Sequence, residues 1–305
     1  MSISNLKESF CNGQLAKADY IVRMHDRHKV LFEYAEFIKT TDIKQIEIMD
    51  GQVVMTSRKD GIRMVCDPSD RRIAPIEILN FDEYEKDESE MIVRLVADGM
   101  TVFDIGGNFG WMSLKIAASR NASIFTFEPI PRTFGYLSQN VALNGIDTIR
   151  PFNFGFSDEE KDLTFYYYPE GSGNASSANL SEMNDVRTVT CKVRRMDDFV
   201  REQGVTVDFI KCDVEGAELF VFRGGLETIR RDKPIIFAEL LRKWAVKFNY
   251  HPDEVVRLLA DMGYRCFIVG GDKLVEIPGI DDQMQETNFF FLHTEKHAMQ
   301  IETLC

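Results

Sequence analysis

The sequence predicts an α/β protein with a doubly wound, mostly parallel, Rossmann-like sheet. Three observations favour this class. Strand-like and helical segments alternate from residue 101 onward, a glycine-rich turn follows the first of these strands, and the next strand ends in an acidic residue. Ligands of such sheets bind in the crevice beyond the carboxyl ends of the strands. The fold class therefore also predicts where a binding site lies.

A small α+β extension at residues 1–80 is expected ahead of the main domain, which takes residues 81–305. Asp50 and Gly51 separate two strand-like runs, and this pair favours the primed turn of a β-hairpin. The expected elements are a helical region at 1–40, a hairpin of 43–49 and 52–56, a strand at 61–66, and a helix at 82–98 that leads into the sheet.

The main domain is expected to alternate strands and helices. Core strands are predicted at 101–105, 123–128, 148–155, 207–212, 234–239, 264–269 and 287–293. Helices are predicted near 110–119, 132–143, 216–231 and 252–262. Two further strands, at 161–168 and 186–194, flank a Gly- and Ser-rich loop at 171–177. This loop could be a lid over a substrate or an irregular excursion between two strands.

The glycine-rich turn is the most specific feature of the chain. A β-branched and aromatic strand at 101–105 leads into Gly106, Gly107 and Gly110, so a ligand can approach the backbone closely. A dinucleotide site requires G-x-G-x-x-G, whereas this turn has the order D-x-G-x-N-x-G. The Asp104 carboxylate would repel a pyrophosphate and attract a cation. The turn therefore favours S-adenosylmethionine, which carries a sulfonium and an ammonium group.

An acidic residue ends the second core strand. Glu128 lies on the strand after that of Asp104, where it could accept hydrogen bonds from both ribose hydroxyls of a nucleoside. NAD would satisfy this residue equally well, so Glu128 alone leaves the ligand open. A purely structural alternative is that Asp104 and Glu128 cap helices.

Asp213 and Glu239 are expected at strand ends on the same rim. Together with Asp104 and Glu128 they make four acidic residues on one rim. Like charges brought together destabilise a fold, so this cluster indicates a cationic ligand or a metal. Asp213 is the leading candidate for a catalytic base, with Glu239 beside it, and both could hold Mg²⁺ together with water. A metal-free enzyme fits the sequence equally well. Glu215 could cap the following helix, and the loop residue His251 is a weaker catalytic candidate.

Composition excludes several classes of function. The chain has 36 Lys and Arg against 49 Asp and Glu, a net charge of −13, and its basic pairs are isolated, so no nucleic-acid partner is expected. No apolar run approaches the roughly 20 residues that span a bilayer, and no signal-peptide pattern is present. The six cysteines have no metal-binding spacing. We therefore expect a cytoplasmic protein without a membrane partner.

Several motifs together resemble the FkbM-family methyltransferases. The motifs are DIGGNFG at 104–110, FEP at 127–129, NVALNG at 140–145, DFIKCDVEGAE at 208–218 and KPIIFAE at 233–239, with Tyr84-Glu85 upstream. The resemblance covers roughly residues 80–294. The DVEGAE segment narrows it from methyltransferases in general to this family.

This resemblance implies a class I methyltransferase fold with seven strands, the last of them antiparallel, and S-adenosylmethionine as methyl donor. The methionine part would lie at Asp104, Gly106 and Asn108, the ribose at Glu128, and the adenine near Phe156 and Ser157. The residues expected to contact the donor are Tyr84, Glu85, Asp104, Gly106, Asn108, Gly110, Glu128, Phe156, Ser157 and Asp213. Gly107 stands where the family more often has alanine.

The sequence thus predicts an S-adenosylmethionine-dependent O-methyltransferase. Its acceptor would be a hydroxyl on a small molecule, a natural-product intermediate, a sugar or a carrier-bound substrate. A hydroxyl acceptor needs a base or a metal, whereas a carboxylate acceptor needs neither. Two alternatives stay open: a non-catalytic module that binds the donor, and an NAD-linked oxidoreductase. A homodimer is also left open.

Overall fold

The computed structural model describes residues 1–168, 170–171, 173, 175–179 and 186–305. Its helices are α1 (Ile3–Cys11), α2 (Lys17–Phe37), α3 (Ala74–Phe81), α4 (Lys86–Leu95), α5 (Trp111–Ser119), α6 (Pro131–Asn144), α7 (Met196–Gln203), α8 (Glu218–Arg223), α9 (Leu226–Asp232), α10 (Arg242–Ala245), α11 (Asp253–Ala260) and α12 (Ala298–Leu304). Its strands are β1 (Ile43–Met49), β2 (Gln52–Ser57), β3 (Arg63–Cys66), β4 (Thr101–Ile105), β5 (Ser123–Phe127), β6 (Ile149–Phe152), β7 (Gly155–Phe156), β8 (Lys161–Tyr167), β9 (Arg187–Arg194), β10 (Phe209–Cys212), β11 (Ile235–Glu239), β12 (Tyr264–Gly270), β13 (Lys273–Ile277) and β14 (Asn288–His293).

The central sheet confirms the predicted fold class. Its strand order is β13-β12-β14-β11-β10-β4-β5-β6. The five neighbouring strands β11, β10, β4, β5 and β6 pair in parallel. β14 is antiparallel to both of its neighbours, β11 and β12. One strand was not predicted: β13 forms a hairpin with β12 and lies antiparallel at the edge of the sheet. The sheet therefore has eight strands among the described residues, one more than expected.

Both faces of the sheet are covered by apolar layers, as the β-branched and aromatic strands require. Alternate residues of a strand point to opposite faces, so Val102 and Ile124 belong to one layer while Phe103 and Phe125 belong to the other. The second layer is rich in phenylalanine, and the rings of Phe103 and Phe125 lie 5.4 Å apart. This packing fixes β4 and β5, whose carboxyl ends carry the glycine-rich turn and Glu128.

Several predicted helices differ in detail. The single helix expected at 216–231 is two helices, α8 and α9, separated by Gly224 and Gly225. A side chain at Gly224 would lie 2.0 Å from the carbonyl oxygen of Ser157, so this close approach requires glycine. The helical region at 1–40 is likewise two helices, α1 and α2. Helices α3, α7, α10 and α12 were not predicted.

The extension is joined to the main domain by side-chain amides of α6. The buried Asn140 accepts a hydrogen bond from the Val65 backbone N–H of β3 at 2.9 Å, and its own amide nitrogen donates to the Phe109 carbonyl at 2.9 Å. Asn144 accepts one from the Arg63 N–H at 2.9 Å. The β1–β3 sheet also shares one apolar core with the large sheet. Among the described helices, none combines the length and apolarity needed to cross a bilayer.

Candidate active site

A cavity of about 520 Å³ opens at the carboxyl ends of the central strands. It brings together most of the residues that the sequence assigned to a site. The predicted residues in its lining are Tyr84, Glu85, Gly106, Asn108, Glu128, Phe156, Ser157, Asp213 and Glu239. Three predicted residues, Asp104, Gly110 and His251, are not part of the lining.

The glycine-rich turn is shaped by close backbone approaches. Gly106 has a φ of +79°, and a Cβ there would lie 1.8 Å from the Asp213 carbonyl oxygen, so only glycine fits between the ends of β4 and β10. The N–H groups of Gly106 and Gly107 both donate to the Phe127 carbonyl, at 3.0 and 2.9 Å, and the Gly110 N–H donates to the Gly107 carbonyl. The turn therefore uses these amides internally, and they cannot cradle a pyrophosphate as a dinucleotide site does.

Glu128 is held rigidly at the cavity wall. Its carboxylate accepts hydrogen bonds from the Asn108 N–H at 3.0 Å and the Ile130 N–H at 2.9 Å. Burial raises the pKa of Glu128 to about 7, although these two N–H groups act in the opposite direction. Each carboxylate oxygen keeps a second lone pair. Glu128 is thus fixed by two backbone N–H groups while it lines the cavity, and it can accept further hydrogen bonds there.

Asp104 and Gly110 lie below the cavity rather than in it. The Asp104 carboxylate is fully buried, accepts a hydrogen bond from the Ser113 hydroxyl at 2.6 Å, and lies 3.6 Å from the Lys211 ammonium nitrogen. Asp104 is therefore buried behind the cavity lining in the ligand-free protein, and its contact with the donor stays a prediction. Gly110 precedes α5 with a φ of +90° and packs near Leu137.

Lys211 is a site residue that sequence reasoning missed. Its buried ammonium group donates to the Gly106 carbonyl at 2.9 Å and to Asp213 Oδ2 at 3.1 Å. Burial by itself would lower the pKa of Lys211, but the carboxylates of Asp213 and Asp104 outweigh it and raise the pKa. Lys211 thus stays cationic and fixes one oxygen of Asp213.

Three carboxyl groups, which we call the acid trio, gather at the cavity floor: Asp213, Glu215 and Glu239. One oxygen from each lies within 4.8 Å of the others. Burial, followed by the charge of Asp213 and a hydrogen bond to it, raises the pKa of Glu239 to about 11. Burial and Asp213 also raise the pKa of Glu215 well above its usual range. In the ligand-free protein, Glu239 therefore holds a proton at neutral pH.

Glu215 does not cap the following helix, contrary to the structural alternative. Its backbone has a φ of +54°, its side chain lines the cavity, and its buried Oε2 has no hydrogen-bond partner in the part of the chain that is described. Glu218, the first residue of α8, instead accepts hydrogen bonds from the N–H groups of Val214 and Gly216 in the preceding loop, both at 3.1 Å. It also accepts from the Tyr250 hydroxyl. The second Glu of DVEGAE thus braces the loop that presents the first.

Glu85 and Tyr84 close the cavity from the N-terminal side of α4. The Tyr84 hydroxyl and the Glu85 carboxylate are hydrogen-bonded to each other, and the Tyr84 ring packs edge-on against Trp111. Burial and the charge of Asp213 raise the pKa of Glu85 to about 7. Glu85 thus adds a fourth carboxyl group that faces Asp213.

His251 lies outside the cavity, so the structure gives it no contact with the reacting groups. Tyr250 turns into the core towards Glu218, and the following side chain therefore points away. His251 Nδ1 accepts a hydrogen bond from the Asp253 N–H, and its Nε2 lies 3.5 Å from Asp282. Its position follows from the turn that starts α11.

An aromatic wall that the sequence did not reveal is formed by Phe220, Trp244 and Phe248 in the cavity lining. Trp244 and Phe248 pack against Gly216, where a Cβ would lie 2.9 Å from Trp244. The Lys243 ammonium group stands over the Trp244 ring at 4.3 Å. The aromatic wall lies beside the acid trio, so the cavity presents both apolar and carboxyl surfaces.

The loop predicted at 171–177 contributes to the cavity where it is described. Gly171, Gly173, Ala175 and Ser177 line it, and the Ser176 hydroxyl donates to the Glu215 carbonyl at 2.9 Å. Residues 172 and 174 lie outside the described residues. The described part of the loop therefore packs over the acid trio.

The strand order, the antiparallel β14 and the acid-rimmed cavity at the carboxyl ends together define a class I methyltransferase fold. A family model described as "Methyltransferase FkbM domain" matches residues 104–266, more than half of the chain. The protein therefore belongs to the FkbM methyltransferase family, which confirms the resemblance seen in the motifs.

Characterised relatives match only part of the chain. It is 28% identical over 146 residues to Methyltransferase 1 of Beauveria bassiana and 31% identical over 148 residues to 2-O-methyltransferase NoeI of Sinorhizobium fredii. These matches cover 42% and 43% of this chain and 59% and 60% of those proteins. Hexuronic acid methyltransferase AglP of Haloferax volcanii is 24% identical over 178 residues, 58% of this chain and 68% of that protein.

A crystal structure of a methyltransferase FkbM from Methylobacillus flagellatus KT aligns with a TM-score of 0.42 and 16% identity. The alignment covers 64% of this chain and 44% of that one.

Proposed function

We propose that this protein is an S-adenosylmethionine-dependent methyltransferase that acts on a hydroxyl oxygen of a small molecule, with a sugar as the favoured acceptor. One observation carries the proposal: a single cavity joins the braced Glu128 carboxylate to the acid trio. Glu128 suits a ribose diol, and the acid trio suits the positive charge of the donor. Both kinds of group lie in the lining of one cavity, as a nucleoside that ends in a charged amino acid requires.

The residues present fit this donor. Glu128 would hold the ribose, Phe156 and Ser157 would lie at the adenine, and the acid trio would face the methionine end. When bound, the donor supplies an electrophilic methyl group on a positively charged sulfur. Without a cation, Glu239 keeps a proton because its charge is not offset. A bound sulfonium and ammonium would supply the missing positive charge.

Asp213 is the residue best placed to take the proton of an acceptor hydroxyl. It lines the cavity, and Lys211 fixes its Oδ2 while leaving the carboxylate at the cavity surface. Glu239 is hydrogen-bonded to Asp213 and would orient it further. Holding both reactants in line and excluding water is the larger part of catalysis for methyl transfer. The walls formed by Tyr84 and Trp244 serve that purpose.

The proposed class of acceptor is based on the two kinds of surface in the cavity, one aromatic and one made of carboxyl groups. A sugar ring has apolar C–H faces, which pack against aromatic rings, and hydroxyls at its edge, which donate to carboxylates. Trp244 and Phe248 offer the first kind of surface and the acid trio the second. Relatives named as a 2-O-methyltransferase and a hexuronic acid methyltransferase support this class.

The donor is tested by calorimetric titration with S-adenosylmethionine and S-adenosylhomocysteine, each with and without Mg²⁺. Micromolar binding of both is expected. Binding of neither would overturn the proposal, and binding of NADH instead would favour an oxidoreductase. The titrations with Mg²⁺ are needed because a cluster of carboxyl groups does not by itself identify a metal site.

Turnover is tested by S-adenosylhomocysteine formation with a panel of methyl glycosides and other hydroxylated acceptors. Asp213→Asn should abolish turnover even at saturating S-adenosylmethionine. Because it also removes a negative charge that faces the donor, it should weaken donor binding as well. His251→Ala is the matched control and should stay active, since His251 lies outside the cavity. Donor binding without turnover on any acceptor would favour the non-catalytic alternative.

A further inference from the structure

The N-terminal hairpin of α1 and α2 carries apolar surface that the described chain does not cover. Helix α2 is 21 residues long, and none of its side chains is buried. Helix α1 packs on its first half, where the Phe10 and Tyr20 rings stack at 4.4 Å and Leu6 is buried. The second half of α2 lies outside this contact and leads towards β1.

Five large apolar side chains are exposed on that second half, which we call the arm surface. They expose between 41% and 67% of their area: Val30, Leu31, Phe32, Tyr34 and Phe37. At about 100° per residue they spread over more than half of the helix circumference, wider than the stripe of an ordinary surface helix. Most of the stability of a helix in a protein comes from packing of its apolar face rather than from helix propensity. The arm surface therefore needs a packing partner.

We propose that the hairpins of two copies of this chain pack together through the arm surface and form a homodimer. Charge favours a second copy. Residues 1–40 contain six Lys or Arg and five Asp or Glu, whereas the remaining 30 basic and 44 acidic residues give the rest of the chain −14. Two nearly neutral hairpins can meet where two acidic bodies would repel each other.

The length of the hairpin also suits this arrangement. Helix α2 is about 32 Å long at 1.5 Å per residue, several times the Debye length of about 8 Å at physiological salt. The arm surface is centred about 8 residues, or about 12 Å, before the buried Thr41. An antiparallel pairing centred on it would therefore keep the points where the two acidic bodies begin about 24 Å apart, about three Debye lengths. A net charge of +1 gives no basis for binding an anionic lipid or nucleic-acid surface.

The available area is sufficient for a specific interface. Side chains of this size that are about half exposed each offer roughly 100 Å². The arm surface therefore offers about 500 Å² per copy, and a pairing that covers all of it would bury about 1,000 Å² in total, the size at which a specific interface begins. Ile21 and Val22, 56% and 61% exposed on the same helix, add to it.

The test is sedimentation velocity on the full chain between about 1 and 100 μM, together with hydrogen exchange of the α2 amides. We expect a dimer at high concentration and protection of residues 30–37 that falls on dilution. A monomer throughout, or protection independent of concentration, would overturn the proposal. Co-sedimentation of a monomer with phosphatidylglycerol vesicles would also overturn it, because lipid would then be the partner.

Variants locate the interface. Leu31→Glu with Phe32→Glu should give a monomer that still binds S-adenosylhomocysteine or keeps the wild-type circular dichroism. The matched control, Val275→Glu with Met299→Glu, adds the same charge at exposed apolar positions elsewhere and should stay dimeric. A dimer that survives the arm substitutions would place the interface elsewhere. If the arm variant fails to fold, the exchange experiment on the wild type still decides.

Discussion

The charge state of Glu239 leads to a quantitative prediction about stability. Burial and Asp213 raise its pKa to about 11 in the folded protein, whereas an ordinary glutamate has a pKa of 4.5. Between these values the folded protein binds one more proton than the unfolded chain at this residue. The contribution of Glu239 to the free energy of unfolding is therefore fully present below pH 4.5. It decreases by about 1.4 kcal/mol per pH unit as the pH rises above that value.

From pH 6 to pH 8 the contribution of Glu239 to the free energy of unfolding should fall by about 3 kcal/mol. Glu239→Gln keeps the shape and the hydrogen-bonding capacity but cannot ionise, so the free energy of unfolding should fall less steeply with pH than in the wild type. The measurement is urea unfolding of the ligand-free protein at pH 6, 7 and 8. Glu286→Gln, at an exposed loop position, is the control and should follow the wild type.

An unchanged slope in Glu239→Gln would refute this explanation, because it would mean that Glu239 is already ionised at neutral pH. The acid trio would then carry its full negative charge without a ligand. A slope that also changes in Glu286→Gln would show that general charge effects dominate.

Three further predictions concern other parts of the molecule. Glu128→Ala should weaken S-adenosylmethionine binding by about 1.5–3 kcal/mol in calorimetry, as for hydrogen bonds to a charged group, and unchanged affinity would count against the ribose contact. Gly107→Ala should lower the free energy of unfolding by about 1–3 kcal/mol, since its Cβ would lie 2.1 Å from Thr126 Oγ1; adding Thr126→Ala should restore part of the loss, and no recovery would refute the clash. Burial lowers the pKa of His297 to about 4, so stability should fall as pH drops from 6.5 towards 4; His297→Asn should reduce that fall in urea unfolding at pH 7 and 4.5, and an unchanged fall would exclude this residue as the cause.

The sheet could be predicted closely from the sequence because its strands are short apolar runs bounded by turn residues. The prediction that β4 and β5 are parallel strands also placed Glu128 correctly at the cavity, because the carboxyl ends of parallel strands lie on one edge of the sheet. β13 was missed because its run KLVEI is short and begins with a charged residue. The break between α8 and α9 depends on a long-range contact of Gly224 with Ser157, which has no local signal.

The site was harder to predict where roles depend on packing. Glu215 and Glu218 have the same chemistry and are three residues apart, and only the left-handed backbone at Glu215 decides which of them faces the cavity. Lys211 gave one signal, a single cation inside the apolar run FIKC. The aromatic wall comes from residues of two separate segments, and aromatic residues are as common in cores as in sites.

Asn140 has a consequence for any attempt to recombine this protein. Its buried side-chain amide accepts a hydrogen bond from β3 of the extension. The same amide donates a hydrogen bond to the Phe109 carbonyl of the glycine-rich turn. A chimera joined near residue 80 would exchange one half of that link without the other, and the turn that shapes the donor side would lose its support. Residues 43–66 should therefore be transferred together with α6 and the glycine-rich turn in any chimera of this protein.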